Sequence, residues 1–247
     1  MPKGGSLTLS YPKVMTEWET MQAAVAGRSL ARLGDGELRI ADGGSAISQM
    51  GSKALRSEMV SVLNGDHGVL TCIPHMNGPK YEKTWYRYNM DKYIRLYTRS
   101  EYGSAFVSRP DSAPWIDTPE YWELCEQLWR GKSIVLVISE EHSSIRPVQL
   151  ASCRTLRIVE GPRRDAYEQI DLLMAKVGQL EQGQTVILCL GACATVLAVR
   201  LYTRYGAHAI DLGHIGRFMR KKGKYSGQVP GSDERVGDTP PGDTLPT

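Results

Sequence analysis

Thr185-Val186-Ile187-Leu188-Cys189-Leu190-Gly191 opens the stretch that decides the fold class, and it runs on through Gly206 to Ala209-Ile210-Asp211-Leu212-Gly213. The first six residues form an unbroken apolar run rich in β-formers, as expected of a strand covered on both faces. Gly191 breaks the run. From Cys193 to Tyr205 the apolar positions Val196, Leu197, Val199 (or the stem of Arg200), Leu201 and Tyr205 fall at helical spacing, and Gly206 supplies a C-terminal cap. Ala209 to Gly213 then reads as a second strand. A strand, a helix and a strand within about 30 residues imply a parallel pair joined by a right-handed crossover.

Upstream, Ser133-Ile134-Val135-Leu136-Val137-Ile138 reads as another buried strand, and Thr155 to Glu160 as a further one ending at Gly161-Pro162. Asp165 to Val177 is expected to be helical, with Tyr167, Ile170, Leu173 and Met174 on one face. Near the start, Thr16 to Ala26 reads as a helix and Ser29 to Leu33 as a strand. The aromatic-rich segment from about Tyr81 to Trp129 reads as mostly helical. Strands alternating with helices predict an α/β fold: a Rossmann-like, mostly parallel sheet flanked by helices. One domain is expected over residues 1–221. Residues 222–247 hold Gly, Pro, Asp and Ser with almost no large apolar side chain, so they are expected to form a flexible tail.

Composition narrows the function classes. Thirty basic against 27 acidic residues leave a net charge of +3, which announces neither nucleic acid nor an anionic membrane as partner. The cysteines (Cys72, Cys125, Cys153, Cys189, Cys193) are odd in number and contain no Cys-x-x-Cys pair, which disfavours a disulfide framework or a zinc site. No apolar stretch approaches the roughly 20 residues that span a bilayer. No apolar leader follows Met1, and the expected location is cytoplasmic.

The sharpest local feature is Arg32-Leu33-Gly34-Asp35-Gly36-Glu37. Two carboxylates two residues apart, just past a strand, can converge on one hard cation such as Mg²⁺ or Mn²⁺, which in turn binds phosphate oxygens. Gly34 and Gly36 let the backbone come close to a ligand. The same residues also suit a plain turn with a solvated glutamate. Gly191-Ala192-Cys193-Ala194-Thr195 opens a helix whose free N–H groups could receive an anion, or it is simply tight packing by small residues. Arg163, with Arg164, follows a strand end, and Arg109 sits in Ser108-Arg109-Pro110. Either could neutralise a diphosphate or be ordinary surface charge. His214, just past Gly213, is the histidine best placed for a site role. No histidine pair has metal-ligand spacing, and no nucleophile elbow is present.

In order along the chain, these blocks resemble the GT-D glycosyltransferases, a bacterial family first recognised as a domain of unknown function. The resemblance runs from about Ser29 to Phe218. It rests on Arg32 to Glu37, Gln49 in Ile47-Ser48-Gln49, Ile73-Pro74, Ser108-Arg109-Pro110, Pro162 to Tyr167, Gly191 to Thr195, and Asp211 to His214. The chain departs from the family pattern at Ala192, where proline is usual, and at Gly216-Arg217, where an acidic residue is common. The resemblance implies that Asp35 and Glu37 hold Mn²⁺ or Mg²⁺ against the diphosphate of a nucleotide sugar, a UDP-sugar. Arg32, Arg109 or Arg163 would add positive charge. Gln49, Gly191, Thr195 and Asp211 would line the donor site, and Asp211 or His214 would position donor or acceptor. The acceptor would be a hydroxyl of a glycan, glycoprotein or other glycoconjugate, with nucleic acid left open and the oligomeric state unread. Two other classes compete: a methyltransferase using S-adenosylmethionine, which would be indifferent to divalent metal, and a non-catalytic nucleotide- or sugar-binding module.

Overall fold

The computed structural model describes residues 11–75, 90–109, 118–139, 145 and 147–216. The stretch 222–247, expected to be a tail, lies outside them. Eight parallel strands form a single sheet: β1 (Lys13–Val14), β2 (Leu30–Arg32), β3 (Leu70–Ile73), β4 (Glu101–Ser104), β5 (Ser133–Ser139), β6 (Thr155–Gly161), β7 (Thr185–Cys189) and β8 (His208–Asp211). Their spatial order is β1-β4-β3-β2-β8-β7-β5-β6. The expected strand-helix-strand unit is present as β7, the helix Ala192–Tyr205 and β8, with Val186 beside Ala209 and Leu188 beside Asp211.

The apolar runs behave as strands covered on both sides. Val135, Val137, Val186 and Leu188 enter one core, while Ile134, Leu136, Ile138 and Ile187 enter the other. Consecutive side chains point to opposite faces, so a continuous apolar strand requires helices on each. On one face lie α2 (Asp35–Ala41), α3 (Lys53–Asn64), α5 (Ile170–Val177) and α6 (Ala192–Tyr205), through residues such as Leu38, Met59, Leu173 and Leu197. On the other lie α1 (Glu17–Val25) and α4 (Pro119–Glu126), through Met21, Tyr121 and Trp122. Local chemistry sets the helix ends. Thr16 and Glu19 form a capping box at α1, with Thr16 Oγ1 accepting from Glu19 N at 3.1 Å and Glu19 Oε2 from Thr16 N at 2.8 Å. Gly206, in the left-handed region at φ 62°, closes α6.

The structure corrects two expectations. The segment read as mostly helical holds β4, four residues too short and too polar to show a strand period; only its pairing with β1 and β3 makes it one. The helix expected from Asp165 starts as a 3₁₀ turn at Ala166–Gln169 and becomes α-helical only at Ile170. Asp165 adopts φ 52°, its N–H donates to Ser48 O at 2.9 Å and its carboxylate accepts from Met50 N at 2.6 Å. A neighbouring loop therefore takes the groups that would have started the helix. No described helix is long and apolar enough to cross a membrane.

At the amino edge of the sheet, His208 is buried at the start of β8, its Nδ1 3.4 Å from Thr185 Oγ1, with the backbone of Ala24 and Arg28 only partly offsetting the effect of burial. Burial lowers its pKa, and Lys132 lowers it further. The folded protein thus binds that proton less readily than the unfolded chain, and stability should fall as pH drops below the ordinary histidine value of about 6.5. The unfolding free energy of wild type relative to His208→Asn should decline by on the order of 1 kcal/mol from about pH 7.5 to about pH 5.5 in paired urea titrations. A pH-independent difference would refute the assignment.

Candidate active site

Every residue singled out from the sequence lies at or beyond the carboxyl end of a strand, the edge at which open parallel sheets bind ligands. The centre is the junction of β2 and β8, where the chain runs outward through β3 and β4 on one side and arrives through β7 on the other. After β2, Gly34 is the extended N-cap of α2, and the Glu37 side chain folds back so that its Oε2 accepts from Gly34 N at 2.8 Å. Asp35 opens the helix with its carboxylate largely exposed and 3.6 Å from the Arg39 guanidinium. Side chains in a first helical turn lean toward the N-terminus, so both carboxylates can address the space above Gly34. The Asp35–Arg39 pair, exposed and long, is worth no more than about 1 kcal/mol and is easily exchanged.

Behind this turn, Arg32 is committed to the protein itself. Its Nε donates to Asp211 O at 2.8 Å, its Nη2 to Asp211 Oδ1 at 3.1 Å, and its Nη1 to Ala105 O at 3.0 Å and to Ser108 Oγ. The ends of β2 and β8 and the turn after β4 are thereby joined through one guanidinium. Burial alone would lower the Arg32 pKa, but Asp211 outweighs it and raises it. Asp211 is itself 3% exposed, and burial raises its carboxyl pKa against the pull of Arg32. Burial, assisted by the charge of Asp211, raises Glu37 to about 6. Asp35, Glu37 and Asp211 thus face Arg32 and Arg39, an acidic excess of one at neutral pH when all are ionised.

Thr195, in the first turns of α6, donates from Oγ1 to Arg32 O at 2.8 Å, so it holds the acidic loop rather than facing outward. Gly191, at φ 54°, is the N-cap of α6 and offers no side-chain cap. A Cβ there would stand 3.2 Å from Ser48 Oγ. Gln49 is buried, its Oε1 accepting from Tyr167 N at 3.0 Å and its Nε2 donating to Met50 O at 3.2 Å, which fixes the 46–50 turn to the segment after β6. Arg163 is exposed in that segment, Arg109 is exposed beyond Ser108, and His214 is exposed in the turn after β8.

The structure therefore brings Arg32, Gly34, Glu37, Thr195 and Asp211 into one connected cluster. Asp35 and Gly36 adjoin it in the first turn of α2, Gly191 at the start of α6 and Gln49 in the 46–50 rim turn, while Arg109, Arg163 and His214 are exposed on the loops after β4, β6 and β8. Among the described residues, no three His, Cys, Asp or Glu groups are arranged as a ready-made metal cage. Two features escaped the sequence reading. Asp165 and Ser48 lock the rim turn across about a hundred residues of chain. The second is a buried pair in which His75 Nε2 lies 2.6 Å from Glu17 Oε1, with the His75 ring edge-on to Phe106 at 5.2 Å. Once β3 is recognised, His75 two residues past its end would have flagged the second.

Comparison with known proteins identifies the family to which this fold belongs. The sequence profile of the glycosyltransferase GT-D fold matches residues 30–219. The chain belongs to the GT-D glycosyltransferase family. "Probable glycosyl transferase Gly" of Streptococcus gordonii is 23% identical over 203 residues, 76% of this chain and 30% of that protein. "Glycosyltransferase GlyD" of Streptococcus pneumoniae is 24% identical over 201 residues, again 76% of this chain and 25% of that protein. The chain thus spans less than a third of the length of these curated relatives. A solved structure of domain of unknown function 1792, described as having a distinct glycosyltransferase fold, superposes with a TM-score of 0.74 at 26% identity, over 90% of this chain and 86% of that one. A Streptococcus sanguinis structure described as a new glycosyltransferase gives 0.73 at 23% identity, over 88% and 87%, and attests the shared GT-D fold.

If Arg32 is the knot of this GT-D site, its geometry matters as much as its charge. Arg32→Lys keeps the cation but cannot reach the acceptors on Asp211, Ala105 and Ser108 together. Loss of about 3 kcal/mol is expected, which for a chain of this size lowers Tm by roughly 6–12 °C. Gly213→Ala should do similar damage, since its Cβ would lie 2.1 Å from Arg32 Nη2 on a backbone at φ 44°. Differential scanning calorimetry decides the matter, and an unchanged Tm in Arg32→Lys would show the knot to be dispensable.

Proposed function

We propose that this chain transfers a sugar from a nucleotide-sugar donor, a UDP-sugar, to an acceptor hydroxyl of a glycan, glycoprotein or other glycoconjugate, with Mn²⁺ or Mg²⁺ held by Asp35 and Glu37. The observation that carries the reading is the acidic first turn of α2 at the carboxyl end of the central strand, close to the uncapped start of α6. The donor set fits a hard cation. Both ligands are carboxylates, and the acidic excess around Glu37, whose carboxyl is raised to about 6, is of the kind that a divalent charge relieves. When bound, such an ion supplies Lewis-acid stabilisation of the negative charge that builds on the departing diphosphate.

The chain's own groups account for the rest. The backbone N–H groups at the start of α6 face the same anion, and the absence of a side chain at Gly191 lets it approach them closely. Arg109 and Arg163, both exposed on loops at the carboxyl edge of the sheet, are the cations assigned to the donor phosphates. Arg32 acts indirectly, by fixing Asp211 and the carbonyl-to-Thr195 contact that hold the α2 turn in place. Asp211 is buried and bound to Arg32, so its part is to set the field at Glu37. His214 at the rim is placed to orient the acceptor.

Release of nucleoside diphosphate from a panel of nucleotide sugars, with Mn²⁺, with Mg²⁺ and with EDTA, tests this reading. Metal-dependent release from one donor is expected. Asp35→Ala and Glu37→Ala should each lower kcat by at least about a hundredfold with the fold intact by circular dichroism. Wild-type rates in either variant, or turnover indifferent to EDTA, would remove the metal assignment.

A further inference from the structure

Glu17 and His75 form a polar pair that the transfer reaction described above does not use. Both side chains are buried, and His75 Nε2 lies 2.6 Å from Glu17 Oε1. Glu17 is the first residue of α1, and His75 lies two residues past the end of β3. A buried pair of this kind adds little net stability over apolar side chains of the same volume. What it adds is direction, because a hydrogen bond fixes the plane of an imidazole ring where apolar packing lets it turn.

The register of the sheet shows what the ring acts on. Ile73 of β3 stands beside Ser104 of β4, and two residues further along each strand His75 meets Phe106, the rings edge-on with centroids 5.2 Å apart. Phe106 belongs to the 3₁₀ turn Ala105–Ser108, which serves the reacting edge twice. Ala105 O and Ser108 Oγ accept from Arg32 Nη1, and Phe106 O accepts from the backbone N–H of Arg109 at 2.6 Å. The exposed Arg109 therefore leaves the turn one residue from a partner of Arg32, with its backbone tied to Phe106. The helix that carries Glu17 also holds the start of the turn, since Thr20 Oγ1 accepts from Ser104 N at 2.9 Å. Tyr121 of α4 donates to Val107 O. Contacts from α1 and α4 thus hold the backbone at Ser104 and Val107, while the hold on the Phe106 side chain comes through His75.

We propose that Glu17 and His75 are positioning residues for donor binding, acting through Phe106 to fix Arg109 against the diphosphate of the nucleotide sugar. This rests on the transferase reading above. The phosphates are present both before and during transfer, so the effect belongs to donor affinity and KM, and kcat is spared.

Replacing the pair by apolar residues, Glu17→Leu/His75→Leu, removes the direction and roughly keeps the volume, so the fold should persist. Donor KM, and the Kd for UDP with Mn²⁺ by isothermal titration calorimetry, should each rise about tenfold, with kcat within about twofold of wild type. Phe106→Leu, which leaves the buried pair intact, should raise both constants in the same way. Glu17→Gln keeps an acceptor for His75 Nε2 and should keep most of the wild-type affinity. In an Arg109→Ala background the double replacement should have no further effect, because residues that act through Arg109 cannot lose its contact twice. Wild-type donor KM and UDP affinity in the double variant, a loss fully additive with Arg109→Ala, or a fall in kcat at unchanged KM would overturn the proposal and leave the transferase reading standing. If the double variant does not fold, Phe106→Leu with and without Arg109→Ala decides by the same criteria. A wild-type chain that releases no nucleoside diphosphate from any donor, and binds no UDP with Mn²⁺, would remove the transferase reading and this assignment with it.

Discussion

One guanidinium holds the reacting edge together. Arg32 spends its donors on Asp211, Ala105 and Ser108, so three chain segments far apart in sequence meet at a single planar cation. Bringing such a charge out of water is costly, and the cost is offset only if its hydrogen bonds are nearly all made. The fold makes them by ending β2, β8 and the β4 turn at the same level. The acidic loop that follows β2 then has a fixed origin, since the Arg32 carbonyl is also held by Thr195.

The electrostatics of the site follow from that knot. Buried beside that knot, and close to the Asp211 carboxylate, Glu37 has its pKa raised to about 6. Asp35 stands exposed at the helix start, loosely paired with Arg39. An edge that concentrates negative charge beside two helix N-termini is suited to a ligand that is itself a cation bound to an anion, which is the chemistry of a metal-bound diphosphate.

How much of this was legible beforehand differs by element. β5, β7 and β8 and the helix between the last two could be read because each is an apolar run or a 3.6-residue pattern with glycine nearby, and β6 because β-formers lead into Gly161-Pro162. The Arg32 to Glu37 block could be read as a candidate site or as a plain turn with a solvated glutamate, and only the order of the other blocks favoured the first. β4 could not, since Glu101–Ser104 carries no pattern of its own and becomes a strand by pairing. The role of Gln49 could not be read either; a buried amide serving Tyr167 N and Met50 O looks, in sequence, like one that serves a ligand.

By itself, the sequence determined the α/β class, the parallel direction of its clearest strands, and the acidic turn, because periodicity and glycine punctuation are local and are written residue by residue. The tertiary structure alone decided that Arg32 faces inward to Asp211, that Glu37 is perturbed while Asp35 stays in solvent, and that the Gln49 amide is used inside the fold on Tyr167 N and Met50 O. Each of these depends on which strand ends come level and which loops touch, and long-range register is set by the packing of the whole sheet, to which no single segment holds the key.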